Sequence, residues 1–421
     1  MRCYLLATAL LLSLAACNKN NDPEVDPATQ DFPTEVLQPV TTTVRLVDLP
    51  APFASTSATN FPQVLAARPA NARLRVPQGY AVNIFAEAPN ARWMTVAPNG
   101  DIFLAQPSLN QITVLRDANR DGRVDETFVW DAGGVLFLPH GMAFDGNFLY
   151  VGNTNSIIRY AYSSGQTRAS GAATQLAVLP GGGNHVTRTL LIHNNKIYAA
   201  VGSAKNVGIE DDVERASVQQ YNLDGTGRVT YASGLRNPVG LALNPQSNAI
   251  WTVVNERDGL GDELVPDYAT ALVPNAFYGY PYAYLAPGNR DPRITATSPL
   301  TATTRTPDIL FKSHSAPLGL AFYTGTAFPA DARGDAYVAF HGSWNRSAGT
   351  GYKVVRLKMN AQGQPEGGYE DFITGWHLNA DQPGTPQVFG RPVSIVTASD
   401  GSLLVSDAVA GIIWRVRYRG N

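Results

Sequence analysis

The stretch Trp93-Met-Thr-Val-Ala-Pro-Asn-Gly-Asp-Ile-Phe-Leu104 decides the fold. Two short runs of β-favouring residues flank a Pro-Asn-Gly-Asp turn, which reads as an antiparallel hairpin. The unit returns as Gly141-Met-Ala-Phe-Asp-Gly-Asn-Phe-Leu-Tyr-Val-Gly152, Thr189-Leu-Leu-Ile-His-Asn-Asn-Lys-Ile-Tyr-Ala-Ala200 and Val239-Gly-Leu-Ala-Leu-Asn-Pro-Gln-Ser-Asn-Ala-Ile-Trp251. It returns again as Leu318-Gly-Leu-Ala-Phe-Tyr323, continued by Asp335-Ala-Tyr-Val-Ala-Phe340, and as Ser394-Ile-Val-Thr-Ala-Ser-Asp-Gly-Ser-Leu-Leu-Val405. No helical 3.6-residue stripe of useful length separates these hairpins, which argues against a parallel α/β sheet. Six antiparallel units, each of roughly 40 to 50 residues, predict an all-β, six-bladed β-propeller over residues 72–421. A sandwich or a two-domain all-β chain is the structural alternative. The interval between the fourth and fifth hairpins is long, so residues 258–315 read as loop excursions on one face, and long ordered loops are usually functional.

Composition narrows the partners. The 421 residues are 44% apolar, enough to fill a large core, and only 16% charged, against about 25% in an average soluble protein. Lys plus Arg number 32 and Asp plus Glu 34, a formal balance of −2, so no positive field gathers nucleic acid, which is not expected as a partner. Cys3 and Cys17 are the only cysteines. The propeller region therefore holds neither a disulfide nor a thiolate metal site, and no Cys-x-x-Cys-His haem attachment exists in the chain.

Residues 1–16 read as a signal peptide, with Arg2 ahead of an apolar run at residues 4–14 that is too short to span a bilayer. The run ends in Leu14-Ala-Ala-Cys17, which resembles the bacterial lipoprotein box. Cys17 is then the lipidated first residue of the mature chain, held in the cell envelope, periplasmic or outer-membrane, by buried acyl chains. An ordinary signal peptide with an accidental cysteine is the alternative. Residues 17–71 read as a proline-rich linker, with nine prolines among residues 18–77 and little apolar surface to bury.

Four of the six histidines lie beside blade-like runs. His185 follows a glycine-rich approach, Gly181-Gly-Gly-Asn-His185, and suits general-base work near neutral pH. His140, His314 and His341 occupy comparable blade edges, where a satisfied structural histidine is the plainer reading. His193 and His377 are expected at the surface and are assigned no role. Arg236 and Asn237, in Gly234-Leu-Arg-Asn-Pro-Val-Gly240, donate hydrogen bonds of the kind that steady a growing oxyanion. The acidic loop Asn255-Glu-Arg-Asp-Gly-Leu-Gly-Asp-Glu-Leu264 offers oxygens to a hard cation or is a solvated turn. Asp117-Ala-Asn-Arg-Asp-Gly-Arg-Val-Asp125 matches the first nine positions of a Ca2+ loop through Asp117, Asn119, Asp121 and Asp125, but Phe128 replaces the closing glutamate. A modest second Ca2+ site and a plain polar hairpin loop both fit it.

Together, His185-Val-Thr-Arg-Thr-Leu190, the Arg236-Asn237 segment, the 255–264 loop and Phe389-Gly-Arg-Pro-Val-Ser394 resemble the soluble glucose/sorbosone dehydrogenase family. These are six-bladed propellers that use pyrroloquinoline quinone (PQQ), and the likeness is to the sorbosone- and pyranose-dehydrogenase branch. The resemblance implies that His185 is the base for a sugar hydroxyl and that Arg236 and Asn237 bind the quinone oxygen. It implies that main-chain oxygens of Arg257 and Asp258 hold Ca2+, and that His314, Arg346 and Arg391 bind the cofactor. His140, His341 and Trp344 then border the substrate. Glucose-oxidising members have Gly-Pro in place of Arg257-Asp258 and a lysine near the position of Arg346.

The reading is thus a PQQ-dependent sugar or polyol dehydrogenase that passes electrons to a separate external acceptor. A Ca2+-dependent propeller lactonase would need an acidic metal cluster in its channel. A non-catalytic propeller binding module would make the histidine and acidic motifs incidental.

Overall fold

A computed structural model describes residues 31–380 and 382–420, so the signal segment, Cys17 and the linker up to residue 30 lie outside the described residues. Six antiparallel sheets stand in a ring. Blade 1 is Trp93–Val96, Ile102–Gln106, Gln111–Arg116 and Glu126–Ala132; blade 2 is Met142–Asp145, Phe148–Asn153, Ser156–Ala161 and Thr174–Val178. Blade 3 is Leu190–His193, Lys196–Val201, Ser217–Asn222 and Val229–Ser233, with Ala276–Phe277 added in parallel; blade 4 is Pro238–Leu243, Ile250–Val254, Tyr268–Ala271 and Ile309–Leu310. Blade 5 is Pro317–Phe322, Ala336–Phe340, Lys353–Leu357 and Tyr369–Ile373. Blade 6 is Pro392–Thr397, Leu403–Asp407, Ile412–Tyr418 and, from the other end of the chain, Tyr80–Glu87, so that pairing the two ends closes the ring.

Each of the six sequence hairpins is the innermost strand pair of a blade. The turns obey local chemistry. Asn194 and Asn195 join blade 3's first strands with φ of 49° and 57°, the left-handed pair that a type I′ turn requires. Second strands such as Ile250–Val254 and Ala336–Phe340 are buried along their whole length, because each is covered on both faces by neighbouring blades. The buried apolar residues accordingly gather at blade junctions. Trp251 and Val253 meet Phe322 and Val338 between blades 4 and 5, and Phe85 and Ile413 meet Met94 and Leu104 between blades 6 and 1.

Inner strands crowd the axis. A Cβ on Gly240 would stand 2.6 Å from the Leu318 carbonyl, and one on Gly319 would stand 2.5 Å from the Val393 carbonyl. Backbone, not a flexible side chain, fills that space. Gly240→Ala should therefore cost about 3 kcal/mol by overpacking, read as a lowered urea midpoint, and an unchanged midpoint would show that the neck relaxes freely.

Two expectations are corrected here. Residues 258–315 are not loop alone, since they carry the third and fourth strands of blade 4 as well as a small hairpin, Ala283–Tyr284 with Ala286–Arg290. His377 is not at the surface but buried, edge-on to Tyr352 at 5.0 Å.

From Asp31 onward the segment read as a linker is laid on the propeller. Having too little apolar surface to fold alone, it borrows sheet edges: Thr34–Val36 pairs with Leu74–Val76, Thr41–Thr42 with blade 5, and Gln63–Val64 with Gln387–Val388. Phe32 is buried edge-on against Trp414 at 4.9 Å, and Val44, Leu46 and Leu49 pack on the junction of blades 3 and 4.

Candidate active site

Because strands alternate in direction, the connection entering each inner strand opens on one face of the ring, together with the turn between second and third strands. On that face Arg92, Asn184 to Thr187, Asn206, Arg236-Asn237, Asn255, Glu256, Asp258, Asp267, His314, His341, Gly342, Trp344, Asn345 and Arg391 surround one cavity of about 560 Å3. The loop 117–125 joins third and fourth strands and so lies on the opposite face. Its carboxylates are engaged with its own amides: Asp117 accepts from the Gly122 N–H (2.8 Å) and Asp125 from the Ala118 N–H (2.7 Å). No cluster of three or more His, Cys, Asp or Glu side chains suited to a metal occurs among the described residues.

His185 stands on the cavity wall with its protonation pattern set. Its Nδ1–H donates to the Ser203 carbonyl at 2.7 Å, which leaves Nε2 as the acceptor nitrogen. Burial, and then the Arg236 charge, push its pKa down to about 3, so the imidazole is neutral at pH 7. The glycine-rich loop beneath it is held by two arginines. Arg188 donates to the carbonyls of His185 (2.9 Å) and Pro180 (2.6 Å), and Arg215 to those of Gly181 (2.6 Å) and Gly182 (3.0 Å).

Arg236 is nearly saturated. It donates to the Asn206 carbonyl (2.8 Å) and Oδ1 (2.9 Å), the Asn255 carbonyl (3.1 Å) and Asp258 Oδ2 (3.2 Å), which leaves one N–H unused. Asn237 beside it is buried, and its Oδ1 has no hydrogen-bond partner among the described residues. Against Asn237 and His185 lies Gly202, where an added Cβ would sit 2.5 Å from Asn237 Oδ1 and 2.6 Å from His185 Cβ.

Asp258 accepts from Asn345 Nδ2 at 2.7 Å and faces His314 Nδ1 at 3.6 Å. Burial opposes its ionisation, but His314 and Arg236 outweigh it and hold the carboxyl below its usual range, while the same contact raises His314. The Asp258 carbonyl already accepts from Asn206 (3.1 Å) and Arg293 (2.7 Å), so a cation there competes with a guanidinium. Glu256 Oε1, buried and without a hydrogen-bond partner among the described residues, is a further oxygen on this loop that could ligate a cation. The Arg257 side chain is turned away, fully buried between Glu256 (3.0 Å) and Asp291 (3.3 Å).

Arg391 lines the cavity, and its side chain donates to the carbonyls of His341 (2.9 Å) and Gly342 (2.8 Å). Arg92 lines it too, with its pKa lowered to about 10 by burial and by Arg391. Neither guanidinium forms an ion pair with a carboxylate among the described residues, although the buried Asp407 acts on Arg391 from behind. His341 is held neutral by burial and these arginines, and its Nδ1 lies 3.1 Å from the Pro392 carbonyl. Trp344 stands at the mouth, 39% exposed.

Two expected residues stand apart. Arg346 pairs with Glu263 and does not line the cavity. His140 is buried beside Trp93, ring centroids 4.5 Å apart, and also does not line it. Sequence reasoning passed over Arg92, Asn206 and Asn345. For Arg92 the signal was present, since it immediately precedes an inner strand as Asn237 and Arg391 do; for the other two no local pattern exists.

A family model described as TrAA12-like matches residues 74–268 and 294–419. An uncharacterised protein of Borreliella burgdorferi is 29% identical over 371 residues, covering 84% of this chain and 93% of that protein. A pyrroloquinoline quinone-dependent sugar dehydrogenase of Hypocrea jecorina is 27% identical over 335 residues, covering 66% and 73%. Among solved structures, the holo PQQ domain of pyranose dehydrogenase from Coprinopsis cinerea superposes with a TM-score of 0.69 at 21% identity, covering 85% of this chain and all of that domain. That likeness is one of fold.

Proposed function

The chain belongs to the TrAA12-like family, and from that premise we propose that it is a PQQ-dependent dehydrogenase of sugars, with His185 as the general base. The observation that carries the reading is a neutral imidazole with Nε2 as its acceptor nitrogen, sharing one cavity with two arginines that have no ion-pair carboxylate among the described residues. A flat polycarboxylate quinone fits such a donor set: Arg92 and Arg391 match its carboxylates, and Arg236 and Asn237 match a carbonyl oxygen. PQQ, when bound, supplies the two-electron acceptor.

The chain's own residues do the rest. His185 Nε2, left as the unprotonated ring nitrogen by the Nδ1–H bond to the Ser203 carbonyl, accepts the proton of the substrate hydroxyl. The remaining Arg236 N–H and the Asn237 amide favour negative charge on an oxygen placed beside them. Asp258 fixes Arg236, and Asn345 fixes Asp258, so the donors are oriented before substrate arrives. Ca2+ is the proposed counter-cation; on main-chain oxygens of Arg257 and Asp258 it would have to displace the Arg293 guanidinium from the Asp258 carbonyl, and Glu256 Oε1, without a hydrogen-bond partner among the described residues, is the nearby oxygen that would help to hold it. Electrons then pass to a separate acceptor.

Purified protein given PQQ and Ca2+ should reduce an artificial dye on addition of an aldose. Chelation should abolish this, and Ca2+ should restore it. Activity that survives chelation would remove the metal from the reading. Lactone hydrolysis without any quinone requirement would replace the dehydrogenase by a hydrolase.

A further inference from the structure

The residues just ahead of the propeller, 53–61, lie outside the family match, yet they are fastened to the two loops that form the cavity mouth. Phe53 N–H donates to the Leu260 carbonyl (2.8 Å), while Ser57 Oγ and Ser55 Oγ accept from the N–H groups of Gly261 and Asp262 (2.9 Å each). The Gly261 carbonyl is in turn 3.0 Å from His314 Nε2 on the cavity wall. On the other side, Asn60 N–H donates to the Trp344 carbonyl (2.7 Å), and its Nδ2 contacts the carbonyls of Arg346 (3.0 Å), Ser347 (3.1 Å) and Gly384 (2.9 Å). One asparagine thus locks the loop that carries Trp344 and Asn345.

The next residue uses that anchorage. Phe61 stacks on Trp344, ring centroids 5.3 Å apart and planes 17° from parallel, yet Phe61 stays 64% exposed and Trp344 39% exposed. Two large rings aligned at the rim of a polar cavity form an apolar surface that no other described residue covers.

We propose that Phe61 and Trp344 form a stacking platform for the apolar C–H face of a pyranose ring, so that the segment before the propeller supplies part of the sugar site. This rests on the sugar dehydrogenase reading above. The edge of a pyranose is polar, but one face presents C–H bonds and is flat enough to cover a phenyl or indole ring. Binding there is felt alike in ground and transition states, because the platform is at the mouth and not at the reacting carbon.

The test compares wild type, Phe61→Ala and Phe61→Tyr, each loaded with PQQ and Ca2+, on D-glucose and on an acyclic polyol. Sugar binding is also read without quinone, from the quench of tryptophan fluorescence by D-glucose. Phe61→Ala should raise both the glucose KM and the quench midpoint about five- to tenfold, with kcat changed less than about twofold. Tyrosine should restore both values, and the acyclic polyol should show no shift. Wild type that oxidises glucose, with Phe61→Ala matching it in KM and quench midpoint, overturns the platform and leaves the dehydrogenase standing. Wild type that takes up PQQ but oxidises no sugar overturns both.

Discussion

His185→Ala should lower kcat/KM by roughly a thousandfold while the titrated stoichiometry and affinity of PQQ stay within a few-fold of wild type. The side chain is not among the cations that the cofactor's carboxylates would need, and its loss removes the group that takes the hydroxyl proton. Spectroscopic titration and single-turnover reduction measure the two quantities separately. Full turnover in the variant would take His185 out of the mechanism. The pH dependence follows from the same geometry. With its pKa near 3, the base in the free protein is already unprotonated at pH 5, so His185 should contribute no limb to kcat/KM between pH 5 and 7.

Stability carries the complementary signature. His185, His140 and His341 all have pKa values lowered by burial, so below about pH 6.5 the unfolded chain binds protons that the folded chain refuses. Their contribution is complete above the unfolded value and is lost as the pH falls toward the folded ones.

Gly202→Ala should lower turnover about a hundredfold without removing any group that does chemistry. The new methyl would overlap Asn237 Oδ1 at 2.5 Å and His185 Cβ at 2.6 Å, so at least one of the two must leave its place. Displacements of about an ångström are costly because proton transfer and oxyanion donation both depend on hydrogen-bond reach. Gly288→Ala, whose added carbon meets nothing within 4 Å, is the matched control and should be silent. Circular dichroism should show both variants folded. Wild-type turnover in Gly202→Ala would mean that neither His185 nor Asn237 needs its observed position.

Arg92 and Arg346 show how far a linear reading goes. Arg92 directly precedes an inner strand, whereas Arg346 lies in the loop between Ala336–Phe340 and Lys353–Leu357. Only the closed ring reveals that Arg92 lines the same cavity as Arg391, while Arg346 pairs with Glu263. Likewise Asn345 and Asn206 sit in unremarkable polar loops, and their value lies in partners far along the chain, Asp258 and Arg236. His377 was misplaced for the same reason, since burial by Tyr352 and the 387–388 strand is a long-range event.

By itself the sequence determined the all-β class, the six hairpins and the residues that enter each inner strand, because alternation and turn chemistry act over a few neighbouring positions. Tertiary structure alone decided which of those residues share a cavity, which arginines there have no ion-pair carboxylate among the described residues and where the proline-rich segment goes. Those outcomes depend on ring closure, which joins Tyr80–Glu87 to Ile412–Tyr418 and brings six blades to a common axis. No local pattern encodes a distance across that axis.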